Sequence, residues 1–534
     1  MSKLGSGTAK VMVGQIIAMG VGIFTAPLVG RLFSQEAFGV STLIESVVIW
    51  VTAFAGLGYT QAIPLSSSRG ETRALVRLCL WTTLLIALPI VLLVFFGGGW
   101  YARVNEEPAL KALVWFVPAI FLIDALRQTM GYVFSREQKY GWVAAVSGLS
   151  ASVARLLQIV LGFALGGSAL FLLIGTTVGG VLGLAIPAVV FIPLMLARSG
   201  RDTESGPRTM RAVASVHSQF PRIQMWNRVL NISSQSLPVW LMGALFSTQV
   251  LGLYGWGRKL VTLPLSLLGV SIAQVFYPEA AAEWRETGSA AGTIHRTVRI
   301  LAITCIFPLV ALGALGPMIF EVFLGPGWRE GGVYAQILCP WMLVTLFSSP
   351  LSPMFMVASR CGKMMFYNIL LMTLRPLALV VGSALAVLFS PLMLAAAGVA
   401  FPRAGWLWSG ASRLSFLFGD APRMGILLFS AVGLILQAAT LSSAVKLGKA
   451  RRREIAALCV REVAIAAAML APACAAYWLF GQPVVSLALL AVGGLLHGVV
   501  LLKREPAVRT KVMSIVARAI PGKKTPAENS ADVL

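Results

Sequence analysis

Apolar runs of about 20 residues recur from one end of the chain to the other with short polar interruptions, the pattern that a hydrocarbon core about 30 Å thick imposes on a helix. Fourteen runs are read in this way: 11–30, 40–62, 78–97, 110–134, 142–165, 168–197, 223–247, 251–275, 298–323, 333–358, 365–388, 424–445, 456–480 and 484–502. Lipid offers no partner to backbone N–H and C=O groups, so each run must satisfy them internally. The pattern therefore predicts an all-α polytopic membrane protein with about 14 transmembrane helices. The first run, Val11 to Leu28, ends without a small-residue cleavage signal and reads as a retained span rather than a signal peptide.

Three polar segments break the pattern: Ser199–Gln219, Pro278–His295 and Pro402–Arg423. The first separates six spans from the next six. The expected organisation is an N-terminal six-helix lobe (1–197), a cytoplasmic linker (198–222), a C-terminal six-helix lobe (223–447) with an insertion near 391–418, two further helices (448–502) and a basic tail (503–534). Across the linker the sequence echoes itself. Leu32-Phe33-Ser34 followed by Phe38-Gly39-Val40 has the spacing of Leu245-Phe246-Ser247 followed by Leu251-Gly252-Leu253, with Gln61 and Gln274 in the same register. Each echo falls between the first two spans of a half, as in parallel repeats about an axis along the membrane normal. In the sixth span Gly175, Gly179 and Gly183 recur every four residues, a spacing that lets a second helix backbone approach closely.

Composition agrees: 57% of the 534 residues are hydrophobic and 12% charged, against about a quarter charged in soluble domains. A net charge of +23 would suit nucleic acid, but its distribution excludes that reading. Lys and Arg crowd alternate connections, including Arg69, Arg73, Arg77, Arg208, Arg211, Arg222, Arg451, Arg452 and Arg453, whereas the opposite side holds only Arg31, Arg103, Lys111, Arg329, Arg403, Arg413 and Arg423. This bias places both termini in the cytoplasm and makes anionic membrane lipid the neighbour of most of the charge. Cys79, Cys305, Cys339, Cys361, Cys459 and Cys474 lie singly and read as packing residues.

Arg127, Arg155, Arg228, Arg258, Lys259 and Arg375 remain within the apolar runs, with Glu45 and Asp124 the deepest acids. Charge at membrane depth marks a functional site by default. Gln224, Arg228, Asn231 and Gln235 share one face of the seventh span, and Tyr254, Arg258, Thr262 and Ser266 one face of the eighth. Such stripes face either a neighbouring helix or an aqueous cavity, and excess cation favours a cavity for an anion, since guanidinium groups bind phosphate oxygens bidentately. The candidate substrate-binding set is Arg228, Arg258, Asn231, Gln235, Tyr254, Lys259, Arg155 and Arg375, with Arg31 at the turn after the first span. Asp124 and Arg127, three apart, either neutralise each other or serve transport. Arg155, Lys259 and Arg375 either line the cavity or snorkel from a span end. Glu45 either pairs with an arginine of another helix or takes up a proton.

Catalytic and metal motifs are missing. There is no phosphate-cradling G-x-x-x-x-G-K-S/T loop and no H-E-x-x-H, and the histidines, His217, His295 and His497, lie far apart. His217 and His295 fall in connections and read as surface residues. Glu106 and Glu107, in a short loop, are a weak candidate for enzymatic chemistry beside the simpler reading of a solvated turn.

The run Ile232-Ser233-Ser234-Gln235-Ser236-Leu237-Pro238, then Leu245-Phe246-Ser247, Gly252, Tyr254, Arg258, Pro264 and Gln274-Val275-Phe276, resembles the seventh and eighth helices of bacterial polysaccharide-biosynthesis exporters. Pro27, Arg31-Leu32-Phe33, Phe38-Gly39, Phe323-Leu324-Gly325 with Trp328, and Gly362-Lys363 with Asn368 resemble further turns of that family. The resemblance covers roughly 8–390 and resumes near 419–448. It implies two six-helix lobes that alternate access, as in the multidrug, oligosaccharidyl-lipid and polysaccharide exporter superfamily. It also implies a flippase, not an enzyme, in the bacterial inner membrane, carrying an undecaprenyl-pyrophosphate-linked glycan for lipopolysaccharide or exopolysaccharide synthesis. Polysaccharide polymerase and co-polymerase proteins are the partners it suggests. No cofactor is expected, and coupling to a proton, sodium or the membrane potential through Glu45 or Asp124 stays open. The rival readings are a drug exporter of the same superfamily, or a membrane glycan polymerase or glycosyltransferase. The insertion and the last two helices depart from the family pattern.

Overall fold

The computed structural model describes residues 20–22, 24–66, 68–104, 107–196, 209–400 and 421–504. Its principal helices are α1 (Gly20–Leu32), α2 (Gln35–Thr52), α3 (Arg69–Val104), α4 (Phe116–Arg136), α5 (Tyr140–Leu165), α6 (Ala169–Leu196), α7 (Met225–Leu245), α8 (Thr248–Thr287), α9 (Ala291–Leu324), α10 (Arg329–Leu351), α11 (Cys361–Ala400), α12 (Ala421–Leu447), α13 (Arg452–Trp478) and α14 (Pro483–Arg504). Each coincides with one expected span. Nine of them among the described residues (α3, α5, α6 and α9 to α14) are long and apolar enough to cross a membrane. Helices α4 and α7, 21 residues each, and α8, 40 residues, also have spanning length, at 1.5 Å of rise per residue. Within that length α4 carries Asp124 and Arg127, α7 carries Arg228, and α8 carries Arg258 and Lys259. The protein is an all-α polytopic membrane protein.

One local expectation is corrected and two are refined. The run 40–62 is not one straight span. Gly56, Leu57 and Gly58 have φ of 60°, 48° and 80°, and the chain turns by 58° from α2 into a 3-10 segment at Ala55–Leu65. Glycine tolerates that backbone, and two glycines flank the one leucine forced into it. The echo of Gln61 and Gln274 is thus lost in three dimensions, since α8 carries no such break. The polar stretch 278–295 is mostly helix: α8 runs on to Thr287, ends on the left-handed Gly288 (φ 65°), and α9 begins at Ala291. Polarity there reflects departure from lipid, not loss of helix. The expected insertion starts as a continuation of α11 as far as Ala400, and 401–420 lie outside the described residues.

Lipid removes the hydrophobic drive between helices, so close approach and polar links must hold them together. A side-chain carbon on Gly175, Gly179 or Gly183 of α6 would fall within 2.5 Å of Gln158, Ala154 or Ser150 of α5. The glycine stripe therefore seats α6 directly on α5. Arg423 of α12 donates from Nε to Glu330 Oε1 of α10 at 2.6 Å and from Nη2 to Oε2. The additional helices α13 and α14 pack on the outer side of α9, where Leu315 and Met318 meet Ala473 and the His497 ring stacks on Phe307 at 4.8 Å. Helix α2 packs on α7 and α8, whereas the 3-10 segment after its break packs on α3 and α4. His217, expected at the surface, is buried, with Nε2 2.8 Å from Glu71 Oε1 of α3. The short helix Met210–Val216 that precedes it folds onto the N-terminal half through Val213 and carries His217 inward.

Candidate functional site

Two serines start the construction. Ser34 caps α2 by accepting from Ala37 N at 3.1 Å, and Ser247 caps α8 by accepting from Val250 N at 3.3 Å. These are the serines of the sequence echo, and five residues beyond each stands a glycine. Gly39 of α2 lies against the Thr248 backbone and Gly252 of α8 against the Gln35 backbone, so the two helices cross reciprocally. Around the crossing Gln249 donates to Gln35 at 2.8 Å, Gln35 donates to Gly327 O, and Trp328 donates to Gly30 O at 2.8 Å. Phe38, Trp256 and Trp328 pack edge to face at 5.3–6.0 Å. These contacts hold α2 and α8 against each other at this end of the bundle. Arg31 belongs here, its Nη2 donating to Val322 O at 3.2 Å, beside a cleft of about 490 Å³ that Ser34, Glu36 and Gln249 also line.

Further along α2 and α8, charge gathers from both halves of the sequence. Lys259 of α8 has Arg155 of α5 and Glu45 of α2 as its charged neighbours. Lys259 is surrounded by protein and yet keeps accessible surface, the mark of a side chain that lines an internal space. Glu45, Asn231 and Gln235 are exposed as well. Arg155 donates to Gln158 Oε1 at 2.9 Å, and Gln158 is fixed in turn by bonds to Leu172 O at 3.0 Å and Thr176 Oγ1 at 3.1 Å. Glu45 accepts from Ser41 Oγ at 3.2 Å.

The remaining candidates divide into three places. Arg228 of α7 donates to Gln128 of α4 at 2.8 Å, a link between the halves. Arg127 and Asp124 form an ion pair at 3.0 Å on α4. Arg258 donates to Gln235 O at 3.1 Å, and Gln235 donates to Asn231 at 3.0 Å, which joins the two polar stripes. Tyr254, 1% exposed, departs from its stripe and packs in the core close to Arg375. Glu45, Arg155 and Lys259 thus lie within electrostatic reach of one another, as do Arg258, Tyr254 and Arg375, and Arg31 stays at the crossing. Gln274 is helical, but its side chain lies outside the described residues. A search for charge overlooks Gln128, Gln158, Trp341 and Phe429, which hold the arginines; amides and aromatics inside spans were the available signal. Among the described residues no group of three or more His, Cys, Asp or Glu could hold a metal ion.

The model of a family described as polysaccharide biosynthesis protein matches residues 28–331, more than half of the chain. The chain belongs to that polysaccharide biosynthesis family. No curated protein matches it. Among solved structures, the lipid II flippase MurJ in an inward closed conformation superposes with a TM-score of 0.62 at 12% identity, covering 92% of this chain and 99% of that one. A multidrug resistance MATE family transporter of the MOP superfamily, in an inward-facing conformation, gives 0.53 at 14% identity, covering 82% and 99%. The MATE multidrug transporter DinF-BH gives 0.53 at 13% identity, covering 84% and 97%. These likenesses establish the fold of the polysaccharide biosynthesis protein as that of a polytopic membrane transporter.

Proposed function

We propose that the protein is a flippase that moves an undecaprenyl-pyrophosphate-linked oligosaccharide from the inner to the outer leaflet of a bacterial inner membrane by alternating access. The observation that carries the reading is that Lys259, Arg155 and Glu45, supplied by helices of both halves, lie within electrostatic reach of one another. A pyrophosphate needs cationic partners, while its lipid tail can stay in the bilayer. Membership of a polysaccharide biosynthesis family supports a glycan cargo. In this reading residues 1–197 and 223–447 form two lobes, the reciprocal crossing of α2 and α8 is the outer seal, and both termini face the cytoplasm. Opening requires the seal to part while the opposite end closes. Arg228, Arg258, Asn231 and Gln235 line the passage, and Glu45 or Asp124 couples the cycle to an ion. The protein leaves its cargo chemically unchanged.

The test is reconstitution into vesicles with a fluorescent polyprenyl-pyrophosphate glycan in one leaflet. Wild type is expected to deliver it to the other leaflet unaltered, and Lys259→Met or Arg155→Met, correctly inserted, to slow delivery about tenfold or more, the loss of one charge-assisted contact. An altered product indicates an enzyme. Undiminished delivery by both variants removes the cationic passage from the mechanism.

A further inference from the structure

Two arginines of the C-terminal half share a region with no facing acid among the described residues. Arg375, on α11, sits in the corner between two rings: its guanidinium carbon is 3.9 Å from the ring centre of Trp341 on α10 and 3.9 Å from that of Phe429 on α12. Gly433 of α12 makes room for it, since a side-chain carbon there would lie 2.7 Å from Trp341 Cδ1 and 2.9 Å from Arg375 Nε. Arg375 Nε and Nη2 and the indole Nε1 of Trp341 are buried N–H donors with no acceptor among the described residues. The groups felt electrostatically at Arg375 are Tyr254 and a second cation, Arg258. Part of the Arg375 surface stays accessible.

Ring faces attract a guanidinium, but they accept no strong hydrogen bond, and unmatched buried donors beside an unpaired cation are costly. A phosphate oxyanion at the accessible remainder of the guanidinium supplies an acceptor and the negative charge that the corner lacks. The Lys259 group differs in two respects: it contains its own acid, Glu45, and it is assembled from both halves, so that its geometry changes whenever the halves move. The corner is built by α8, α10, α11 and α12, with α7 holding Arg258 through Gln235 O, all within the C-terminal half, and the two rings hold Arg375 in place before any ligand arrives.

We propose that Arg375, together with Arg258, forms a phosphate-binding subsite wholly within the C-terminal half, pre-organised by Trp341 and Phe429 and separate from the Arg155–Lys259 group. The transport role of this subsite rests on the flippase reading: it keeps hold of the phosphate end of the cargo while the halves rearrange. Its binding chemistry does not rest on that reading, and the same site accepts a lipid headgroup or free pyrophosphate.

The experiment follows thermal unfolding of the purified full-length protein in detergent during titration with sodium pyrophosphate, with sodium chloride matching the ionic strength. Wild type is expected to be stabilised saturably, and Arg375→Met and Arg258→Met each to weaken the apparent affinity about tenfold or more. Arg451→Gln, at an exposed site on the N-terminal edge of α13, should behave as wild type. Absence of stabilisation in wild type overturns the subsite, as does wild-type affinity in Arg375→Met. Should Arg375→Met not fold, wild-type affinity in Arg258→Met overturns it equally. A second titration with a polyprenyl pyrophosphate identifies the source: tighter binding than free pyrophosphate, lost in the same variants, assigns the headgroup, and equal binding assigns the free anion. Failed translocation by a protein that still binds pyrophosphate through Arg375 overturns the flippase reading and leaves the subsite standing.

Discussion

A side-chain carbon on Gly39 would lie 1.7 Å from the carbonyl oxygen of Thr248, and one on Gly252 would lie 2.0 Å from that of Gln35. Neither contact can be relieved by a rotamer change, because the obstacle is backbone. The close crossing of α2 and α8 exists only because both positions lack a side chain.

Gly39→Ala and Gly252→Ala should therefore push the protein out of the sealed state. Alanine in a helix interior is usually better than glycine by about 0.5–1 kcal/mol, so the sign here is reversed by crowding, which costs about 1–3 kcal/mol. That cost shifts the sealed-to-open ratio by about tenfold. The measurement is labelling of Thr248→Cys, buried at the crossing, by a membrane-impermeant maleimide, expected to accelerate in both variants. Gly97→Ala, with nothing within 4 Å of its new carbon, should leave labelling unchanged. Unaltered labelling in Gly39→Ala would mean that the crossing does not seal.

The α5–α6 seam offers a test of packing alone. Gly179→Ala drives a carbon to 2.4 Å from Ala154 Cα and should lower stability by about 1–3 kcal/mol. Thermal unfolding in detergent is the measurement. Gly99→Ala, with nothing within 4 Å, should be neutral or slightly stabilising.

Glu283 joins α8 to α9 outside the apolar stretch. It accepts from Gly292 N at 2.9 Å, Thr293 N at 2.8 Å and Thr293 Oγ1 at 2.6 Å, capping the start of α9. Burial raises its carboxyl, but the Thr293 and Gly292 bonds and nearby Arg296 outweigh burial and hold it below the ordinary 4.5. A depressed carboxyl adds stability that is fully present above its unfolded value and lost as pH falls through the folded one. The Tm gap between wild type and Glu283→Ala should thus be constant at neutral pH and shrink below pH 4.5. A gap that grows on acidification contradicts the cap.

The Arg423–Glu330 pair ties α12 to α10 by two bonds. Arg423→Met leaves Glu330, partly buried, without this partner and should cost about 3 kcal/mol. The reversed pair, Arg423→Glu with Glu330→Arg, should recover much of that loss, measured as a double-mutant cycle in thermal unfolding. No recovery would assign the loss to packing rather than charge.

Hydropathy located every principal helix because membrane thickness sets a length that the sequence must respect. The polar stretch 278–295 stays mostly helical because a helix that leaves lipid turns polar without unwinding. The break at Gly56–Gly58 was illegible because glycine in a membrane helix serves close packing at Gly179 and a turn at Gly58, and composition is alike in both. Among the site candidates, charge alone singled out Arg155, Lys259 and Glu45. The corner that holds Arg375 was hidden, since Trp341 and Phe429 lie on other helices and aromatic residues inside spans usually signify packing. His217 read as surface because its neighbours in sequence are polar, whereas its neighbour in space is Glu71.

Helix α2 packs on α7 and α8, and the segment beyond Gly58 packs on α3 and α4. Because α2 also packs on α4 and α6, it acts as a strap that belongs to one half by sequence and is gripped by both. A protease cut between the halves would leave them clasped, and two separately expressed halves should find each other in the membrane through that strap.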